Sequence, residues 1–167
     1  MWRYITSEDL LNIADSMLAW FYNLFDTLTL FKVQLIGIGA KVPVKADYGC
    51  AGYDVFSTVS LLIEPGKRVL VPTGIKTQIP RHYYLRVAPR SGLAVRGIDI
   101  AAGVVDSSYR GEIKVLVVNN GETSFVIEPG TKIAQLILER CSNTKVHVSD
   151  LLSETERGYS GFGSTGS

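Results

Sequence analysis

The first pattern of apolar and polar positions along the chain predicts one amphipathic helix near the N-terminus. Apolar residues recur three and four positions apart, as on one face of a helix, at Leu10, Ile13, Ala14, Met17, Leu18, Phe21, Leu24, Phe25 and Leu28. The opposite side is polar and contains Asn12, Asp15, Ser16, Asn23, Asp26 and Thr27. Thr6 or Ser7 could cap the start of this helix, where Glu8 and Asp9 suit the positive end of the helix dipole.

From Val33 onward the pattern changes to short β-branched runs separated by proline and glycine, which predicts an all-β domain. Glu-Pro-Gly occurs at 64–66 and again at 128–130, each time between two strand-like runs. Proline sets the first position of such a turn, and glycine supplies the positive φ of the second. The predicted strands are 61–63, 68–71, 75–79, 83–88, 112–118, 125–127 and 132–138. Short strands at this spacing are typical of a sandwich, a jelly roll or a small barrel.

These changes of pattern divide the chain into a helical extension (1–30), a β domain (31–150) and a flexible, Gly- and Ser-rich C-terminal arm (151–167). A chain of 167 residues with 46% hydrophobic content fits one domain with a sizeable core. The formal net charge of +1 gives no field that would favour stable nucleic-acid binding. Cys50 and Cys141 lie outside any CxxC or zinc spacing, which favours a reducing, intracellular compartment, cytoplasmic or nuclear.

The apolar stretch at 10–31 is not expected to span or bind a membrane. Asn12, Asp15, Asn23 and Asp26 interrupt it, and acids are costly in a bilayer centre. Its polar face is acidic, which disfavours anionic lipid, and no A-x-A cleavage site of a secretory signal follows it. We therefore expect the helix to pack on the body of the protein or on a partner.

Five segments carry candidate chemistry: AGYDVFS (51–57), APRSGLAVRG (88–97), AGVVDSSYRGEIKVLVVN (102–119), EPGTKIAQLIL (128–138) and RGYSGFGSTG (157–166). Arg90, Ser91 and the main chain near Gly92 can donate to phosphate oxygens, although a solvated surface turn would use the same residues. Asp106 ends an apolar run, where it either caps its own turn or acts as a general base. Gln135, in an apolar strand, is either a satisfied core amide or a ligand.

In this order, the five segments resemble the motifs of the homotrimeric dUTPase family, from about Val33 to the C-terminus. The resemblance implies a jelly-roll-like β-barrel of the dUTPase type and hydrolysis of dUTP to dUMP and pyrophosphate. Such an activity keeps uracil out of DNA and supplies dUMP for dTMP synthesis. It also implies a homotrimer in which each active site draws segments from three subunits.

The resemblance also assigns roles to individual residues. Asp106 would activate a water for attack at the α-phosphorus, and Tyr109 would pack beneath the deoxyribose. Main-chain atoms would read uracil at Gly103, Val104, Val105 and Lys114, although many relatives carry a small residue at the last position. The phosphates would be bound by Arg90, Ser91, Gly92 and Gln135. The C-terminal arm would close over the nucleotide with Arg157 on the terminal phosphate and the Phe162 ring on the base, while Gly163, Ser164 and Thr165 would donate to phosphate oxygens. Mg²⁺ would meet Asp54 through water, with no direct protein ligand.

Two other functions are also compatible with these sequence features. A dCTP deaminase shares the fold, but no suitable glutamate replaces Asp106 and the complete Gly-rich arm matches the dUTPase pattern. A regulatory nucleotide-binding protein would keep the fold while the N-terminal helix recruits a partner. Since every expected chemical group is present, the sequence favours an enzyme.

Overall fold

The computed structural model describes residues 12–18, 20–21, 24 and 30–159 of the 167-residue chain. The predicted arm residues Phe162, Gly163, Ser164 and Thr165 lie outside the described residues, as do the predicted helix caps. Residues 12–18, 20–21 and 24 are helical, which confirms the N-terminal helix at those positions. Within the described part of the chain, no helix is long and apolar enough to cross a membrane.

Ten strands and one short helix form the body of the described chain. In chain order they are β1 (Lys32–Leu35), β2 (Tyr53–Phe56), β3 (Leu61–Ile63), β4 (Arg68–Gln78), β5 (Tyr83–Ala88), α1 (Ser91–Ala94), β6 (Ile98–Ala101), β7 (Val104–Val105), β8 (Glu112–Asn119), β9 (Phe125–Ile127) and β10 (Lys132–Arg140). The all-β prediction is therefore confirmed.

The strands form three antiparallel sheets. The first sheet has the order β1-β4-β8-β6, the second has the order β2-β10-β5-β7, and the third is the pair β3-β9. Consecutive strands β6 and β7 belong to different sheets, although only Ala102 and Gly103 separate them. Among the described strands, no sheet closes on itself into a complete barrel.

The core lies between the sheets and is built from alternate residues of the strands. In β8, Ile113, Val115 and Val117 are buried, because every second side chain of a strand points to the same face. At the end of β8, Asn119 is fully buried, and its amide donates to Ile63 O at 2.8 Å and to Thr123 O at 2.9 Å. Its side-chain oxygen accepts the N–H of Gly121 at 2.9 Å, so every polar atom of this core amide has a partner.

Both Glu-Pro-Gly turns are present as the sequence predicts. The N–H of Lys67 donates to Glu64 O at 3.1 Å, and that of Thr131 donates to Glu128 O at 2.9 Å. Gly66 and Gly130 have φ values of 73° and 86°, the left-handed conformation that favours glycine. The strands that flank each turn do not pair with each other, because β3 pairs with β9 and so links the two turns across the body.

The predicted strands 68–71 and 75–79 are one continuous strand, β4, which ends at Gln78. Its pairing with β8 shifts register between Pro72 and Lys76, and Gly74 within this bulge has a φ of 68°. The sequence suggested a break because proline and glycine usually end strands, whereas here they form a β-bulge. The short helix α1 was also not predicted, since a single turn is too short to show a helical period.

Candidate active site

A cavity opens where β6 and β7 diverge into different sheets. The pairing of β6 with β8 ends at Ala101 opposite Leu116, and Ala102 then adopts a φ of 51°. The chain crosses to the second sheet, where β7 pairs with β5 through Val105 and Leu85. The beginning of β8 is therefore separated from β7 by a gap rather than by ladder hydrogen bonds.

This first cavity has a volume of about 500 Å³, which suits a small ligand. It is lined by Leu70, Val104, Val105, Asp106, Tyr109, Glu112, Ile113 and Lys114. Because β7 is the edge of its sheet, one side of its main chain has no strand partner among the described strands. Lys114 pairs with Pro72 of β4 on one side and lies beyond the end of β6 on the other. Main-chain groups of β7 and β8 are thus available to a ligand between them.

The loop between β7 and β8 carries Asp106 and Tyr109. Hydrogen bonds to main-chain oxygens of residues 106–112 hold this loop in place. The N–H of Tyr109 donates to Asp106 O at 3.0 Å, and the Tyr109 hydroxyl donates to Glu112 O at 3.1 Å. The Arg110 guanidinium donates to Ser107 O at 2.7 Å and to Tyr109 O at 2.8 Å. These bonds fix the loop while the Asp106 carboxylate stays exposed to solvent at the end of β7.

Glu112 anchors this loop to the first sheet. One carboxylate oxygen accepts the N–H of Gly74 at 2.9 Å, inside the bulge of β4. The other lies 3.8 Å from Lys114 Nζ. The sequence did not single out this glutamate, because its partner is 38 residues away and no local pattern reveals it.

A second, smaller cavity lies at the other end of the second sheet, next to α1. It has a volume of about 230 Å³ and is lined by Ala46, Cys50, Gly52, Asp54, Arg90, Ser91, Gly92 and Gln135. The strand register explains this grouping. Asp54 of β2 lies opposite Gln135 of β10, which in turn lies opposite Ala88 of β5, so three strands bring the side chains together. Arg90 follows two residues after Ala88.

Cationic side chains surround Asp54 in the second cavity. Arg90 Nε lies 2.8 Å from one carboxylate oxygen, and Lys132 Nζ lies 2.9 Å from the other. Lys132 was not among the predicted site residues, although it stands in the same sequence motif as Gln135. Both oxygens of Asp54 are therefore engaged by cations of the chain.

The sequence left two roles open for Gln135, a satisfied core amide and a ligand. The structure shows the contacts of a core amide and also leaves the side chain beside a cavity. Its amide nitrogen donates to Pro89 O at 2.9 Å, as in a satisfied core amide, and its side chain also lines the second cavity. A Cβ on Gly52 would lie 2.5 Å from Gln135 Oε1, so a side chain at this position would displace the Gln135 amide.

The predicted site residues therefore fall into two groups. Val104, Val105, Asp106, Tyr109 and Lys114 line the first cavity, whereas Asp54, Arg90, Ser91, Gly92 and Gln135 line the second. Gly103 lines neither cavity, and its carbonyl accepts the N–H of Val87 at 2.7 Å. Arg157 lies in a turn near the end of the described chain. No residue lines both cavities, and the described residues contain no cluster of three or more His, Cys, Asp or Glu that could hold a metal.

The described chain is a small antiparallel all-β body with a ligand-sized cavity between diverging strands and a second cavity lined by Asp54, Arg90, Ser91 and Gln135, an architecture that suits an all-β ligand-binding domain. The dUTPase family model matches residues 39–166. The chain belongs to the dUTPase family.

Individual relatives agree with this membership. The chain is 46% identical over 127 residues to the deoxyuridine 5'-triphosphate nucleotidohydrolase of cowpox virus, an alignment that spans 76% of this chain and 86% of the viral enzyme. It is also similar to the Staphylococcus bacteriophage 80alpha dUTPase solved with dUpNHpp, with a TM-score of 0.79 and 26% identity over 83% of this chain and 99% of the phage chain. A dUTPase variant from phage phi11 of S. aureus, whose structure describes a structural Mg(II) ion, shares the fold with a TM-score of 0.71 and 21% identity, over 75% of this chain and 100% of that one.

Proposed function

We propose that this chain hydrolyses dUTP to dUMP and pyrophosphate, with Asp106 as the general base and an active site assembled from three copies of the chain. The observation that carries the proposal is the first cavity, in which an exposed carboxylate, an aromatic ring and unpaired main-chain edges face one space. Membership in the dUTPase family and the cowpox relative support the choice of substrate.

In the proposed reaction, Asp106 accepts a proton from a water as the water oxygen attacks the α-phosphorus. The bond between that phosphorus and its bridging oxygen breaks, and pyrophosphate leaves with the electron pair. A carboxylate suits this role because it is held at the end of a strand while remaining open to solvent and substrate.

Selection of the deoxynucleoside follows from the walls of the first cavity. The Tyr109 ring, held by its hydroxyl contact with Glu112 O, would lie against the deoxyribose and leave no room for a 2′-hydroxyl. Main-chain groups at Val104, Val105 and Lys114 would pair with the polar edge of uracil. Cytosine would be rejected, because its reversed donor and acceptor pattern would leave these groups unpaired.

The second cavity is the proposed phosphate site. Arg90, Ser91, Gly92 and Gln135 would contact the triphosphate chain, with Arg90 positioned by Asp54. Arg157 and the arm residues Phe162, Gly163, Ser164 and Thr165 would close over the bound nucleotide.

The residues of the second cavity fit Mg²⁺ only as an ion carried by the triphosphate and its waters. Asp54 already pairs with Arg90 and Lys132, and a single carboxylate does not form a protein cage. Asp54 would therefore hold the ion through its water shell, where Mg²⁺ would offset the charge of the departing pyrophosphate.

The assembly of three copies is supported by the separation of the two cavities and by exposed apolar side chains. No described residue lines both cavities, and we propose that one substrate uses the first cavity of one copy and the second cavity of another. Beyond β10, the apolar residues Val146, Val148, Leu151 and Leu152 are exposed. Several exposed apolar side chains in one short segment favour contact with a neighbouring chain.

The test is pyrophosphate release from dUTP, dCTP, dTTP and UTP in the presence of Mg²⁺. We expect release from dUTP alone, and a loss of about 10²- to 10⁴-fold in kcat for Asp106→Asn. The matched control is Asp99→Asn, since Asp99 is an exposed acid of β6 that bonds the N–H of Ile100. Binding of dUpNHpp by Asp106→Asn should remain. A variant with unchanged kcat would remove Asp106 from its proposed role, and release from dCTP would overturn the substrate.

A further inference from the structure

The N-terminal helix presents large apolar side chains that the body of the chain does not cover. Met17, Leu18, Trp20 and Phe21 are 67%, 58%, 66% and 61% exposed, and Ile13 is 51% exposed. These residues also lie before residue 39, where the match to the dUTPase family begins. An apolar cluster of this size is typical of an interaction surface, and its purpose is not explained by the proposed reaction.

The spacing of the apolar residues indicates what kind of surface it is. Apolar residues stand alternately four and three positions apart at Leu10, Ala14, Met17, Phe21, Leu24 and Leu28. This is the heptad pattern of helices that pack against other helices. Of these positions, 14, 17, 21 and 24 are helical in the structure.

The width of the apolar face indicates how many helices meet. The positions on both sides of the heptad seam are also apolar, including Ile13, Leu18 and Trp20. A two-helix coiled coil needs only the narrow seam, whereas a helix in a larger bundle is apolar over a broader face. Asn12, Asp15 and Ser16 stand on the remaining side, which is left for solvent.

Charge argues against a lipid surface as the partner. Between Arg3 and Lys32 the sequence has no lysine or arginine, and its charged residues there are all acidic. Helices that lie on anionic membranes carry basic residues on the polar face. A second copy of the same helix needs no complementary charge, because identical apolar faces complement one another around a symmetry axis.

The helix is also tethered close to the body. Phe31 packs against the core, with its ring 5.7 Å from that of Tyr53, and β1 begins at Lys32. In an assembly of three copies, each body would hold its helix near those of its neighbours, at a high effective concentration and in the same direction.

We propose that the N-terminal helices of three copies pack in parallel as a bundle through the face that contains Ala14, Met17, Phe21 and Leu24. This proposal rests on the three-copy assembly proposed above. The bundle would be a second contact between the copies, separate from the contact that completes the active site.

The test uses the full chain with Cys50→Ser and Cys141→Ser, into which a single cysteine is introduced by Met17→Cys or by Ser16→Cys. Met17 is on the proposed seam, whereas Ser16 is on the polar side, where its hydroxyl donates to Asn12 O at 2.7 Å. Under mild oxidation, Met17→Cys should form a covalent dimer about tenfold faster than Ser16→Cys, because the thiols would face each other. Equal rates would overturn the bundle.

Three further measurements separate the bundle from the assembly on which it rests and from lipid binding. Sedimentation should give the mass of three chains, and a monomeric mass would overturn the three-copy assembly itself. Met17→Asp with Phe21→Asp should lower the helical circular dichroism signal while dUTP turnover continues, and an unchanged signal would overturn the bundle. Flotation with vesicles of phosphatidylcholine and phosphatidylserine should leave the chain unbound, and co-flotation that the same double substitution abolishes would assign the helix to lipid instead.

Discussion

The Arg90 guanidinium and the Asp54 carboxylate form an ion pair at the second cavity, with 2.8 Å between Nε and Oδ1. Lys132 Nζ approaches the other oxygen of the same carboxylate at 2.9 Å. One acid thus orients two cations, from the segment after β5 and from the start of β10, toward the space where we propose that the phosphates bind.

Replacing this acid should impair use of the substrate more than folding. We expect Asp54→Asn to lower kcat/KM for dUTP by about 10- to 100-fold, because hydrogen bonds to charged groups contribute about 1.5–3 kcal/mol and about 1.4 kcal/mol corresponds to tenfold. The loss should appear mainly in KM and should be accompanied by a higher Mg²⁺ requirement. Steady-state kinetics over a Mg²⁺ titration measure both, with Asp150→Asn, an exposed acid beyond β10, as the control. Unchanged kinetics would mean that Asp54 only organises the cavity wall.

Gly103 should not tolerate a side chain, although its φ is not in the left-handed region. A Cβ there would fall on the carbonyl oxygen of Val87, which belongs to the pairing of β5 with the chain before β7. We expect Gly103→Ala to destabilise the fold by about 1–3 kcal/mol through this overpacking. Denaturant unfolding measures the change. Gly92→Ala is the matched control, because a Cβ on Gly92 meets nothing within 4 Å and should leave stability nearly unchanged.

The buried amide of Asn119 should be among the most sensitive positions of the core. Its side chain bonds Ile63 O, Thr123 O and the N–H of Gly121, so truncation would leave three main-chain groups without this partner and would empty a fully buried site. We expect Asn119→Ala to cost about 2–4 kcal/mol in the free energy of unfolding. The neighbouring Asn120 is exposed, so Asn120→Ala should cost less than about 0.5 kcal/mol. Similar losses in both variants would contradict this network.

Acid stability should depend on Glu139. The Tyr84 hydroxyl donates to one of its carboxylate oxygens and Arg86 Nε donates to the other at 2.5 Å, and these bonds hold the pKa of Glu139 below its ordinary value of 4.5. A lowered pKa in the folded state stabilises the fold above the ordinary pKa, and this contribution is lost as pH falls through the folded value. The melting temperature of Glu139→Gln should therefore fall less steeply than that of the natural chain between about pH 6 and pH 3.

The control for this pH dependence is Glu122→Gln, an exposed glutamate in the loop between β8 and β9. Its profile should follow that of the natural chain. Glu139 also raises the pKa of Tyr84 through the same hydrogen bond, so Glu139→Gln should lose a stabilising contribution that is present below pH 10. Identical acid slopes for the natural chain and Glu139→Gln would show that this cluster does not affect stability.

Much of the fold could be predicted from local patterns, because the strand at 112–118 alternates clearly and the two Glu-Pro-Gly turns need specific φ values. The continuous course of β4 could not be predicted, since Pro72 and Gly74 end a strand in most contexts, whereas here they form a bulge in which Glu112 accepts the Gly74 N–H. The pairing of β3 with β9 could not be predicted either, because it joins residues that are distant in sequence, such as Leu62 and Val126.

The parts of the candidate site that lie within one short sequence motif could be predicted. Asp106 and Tyr109 fall within one segment, and they line one cavity. The division into two cavities was not derivable from the residues alone, because it follows from β6 and β7 joining different sheets. Lys132 and Glu112 were missed for a related reason, since a charged residue on a strand has no special meaning until its partner across the sheet is known.

The hydrogen bond between Glu112 and Gly74 joins the wall of the first cavity to the first sheet. We therefore expect this wall to open as rarely as the sheet does. Loops usually exchange their amide hydrogens quickly, since they open without disturbing the core. Here the buried Gly74 N–H donates to the Glu112 side chain, and the main-chain oxygen of the same residue accepts the Tyr109 hydroxyl, so Glu112 links the β4 bulge to the loop. The exchange rate of this one amide hydrogen should therefore report how often the proposed sugar-binding wall opens.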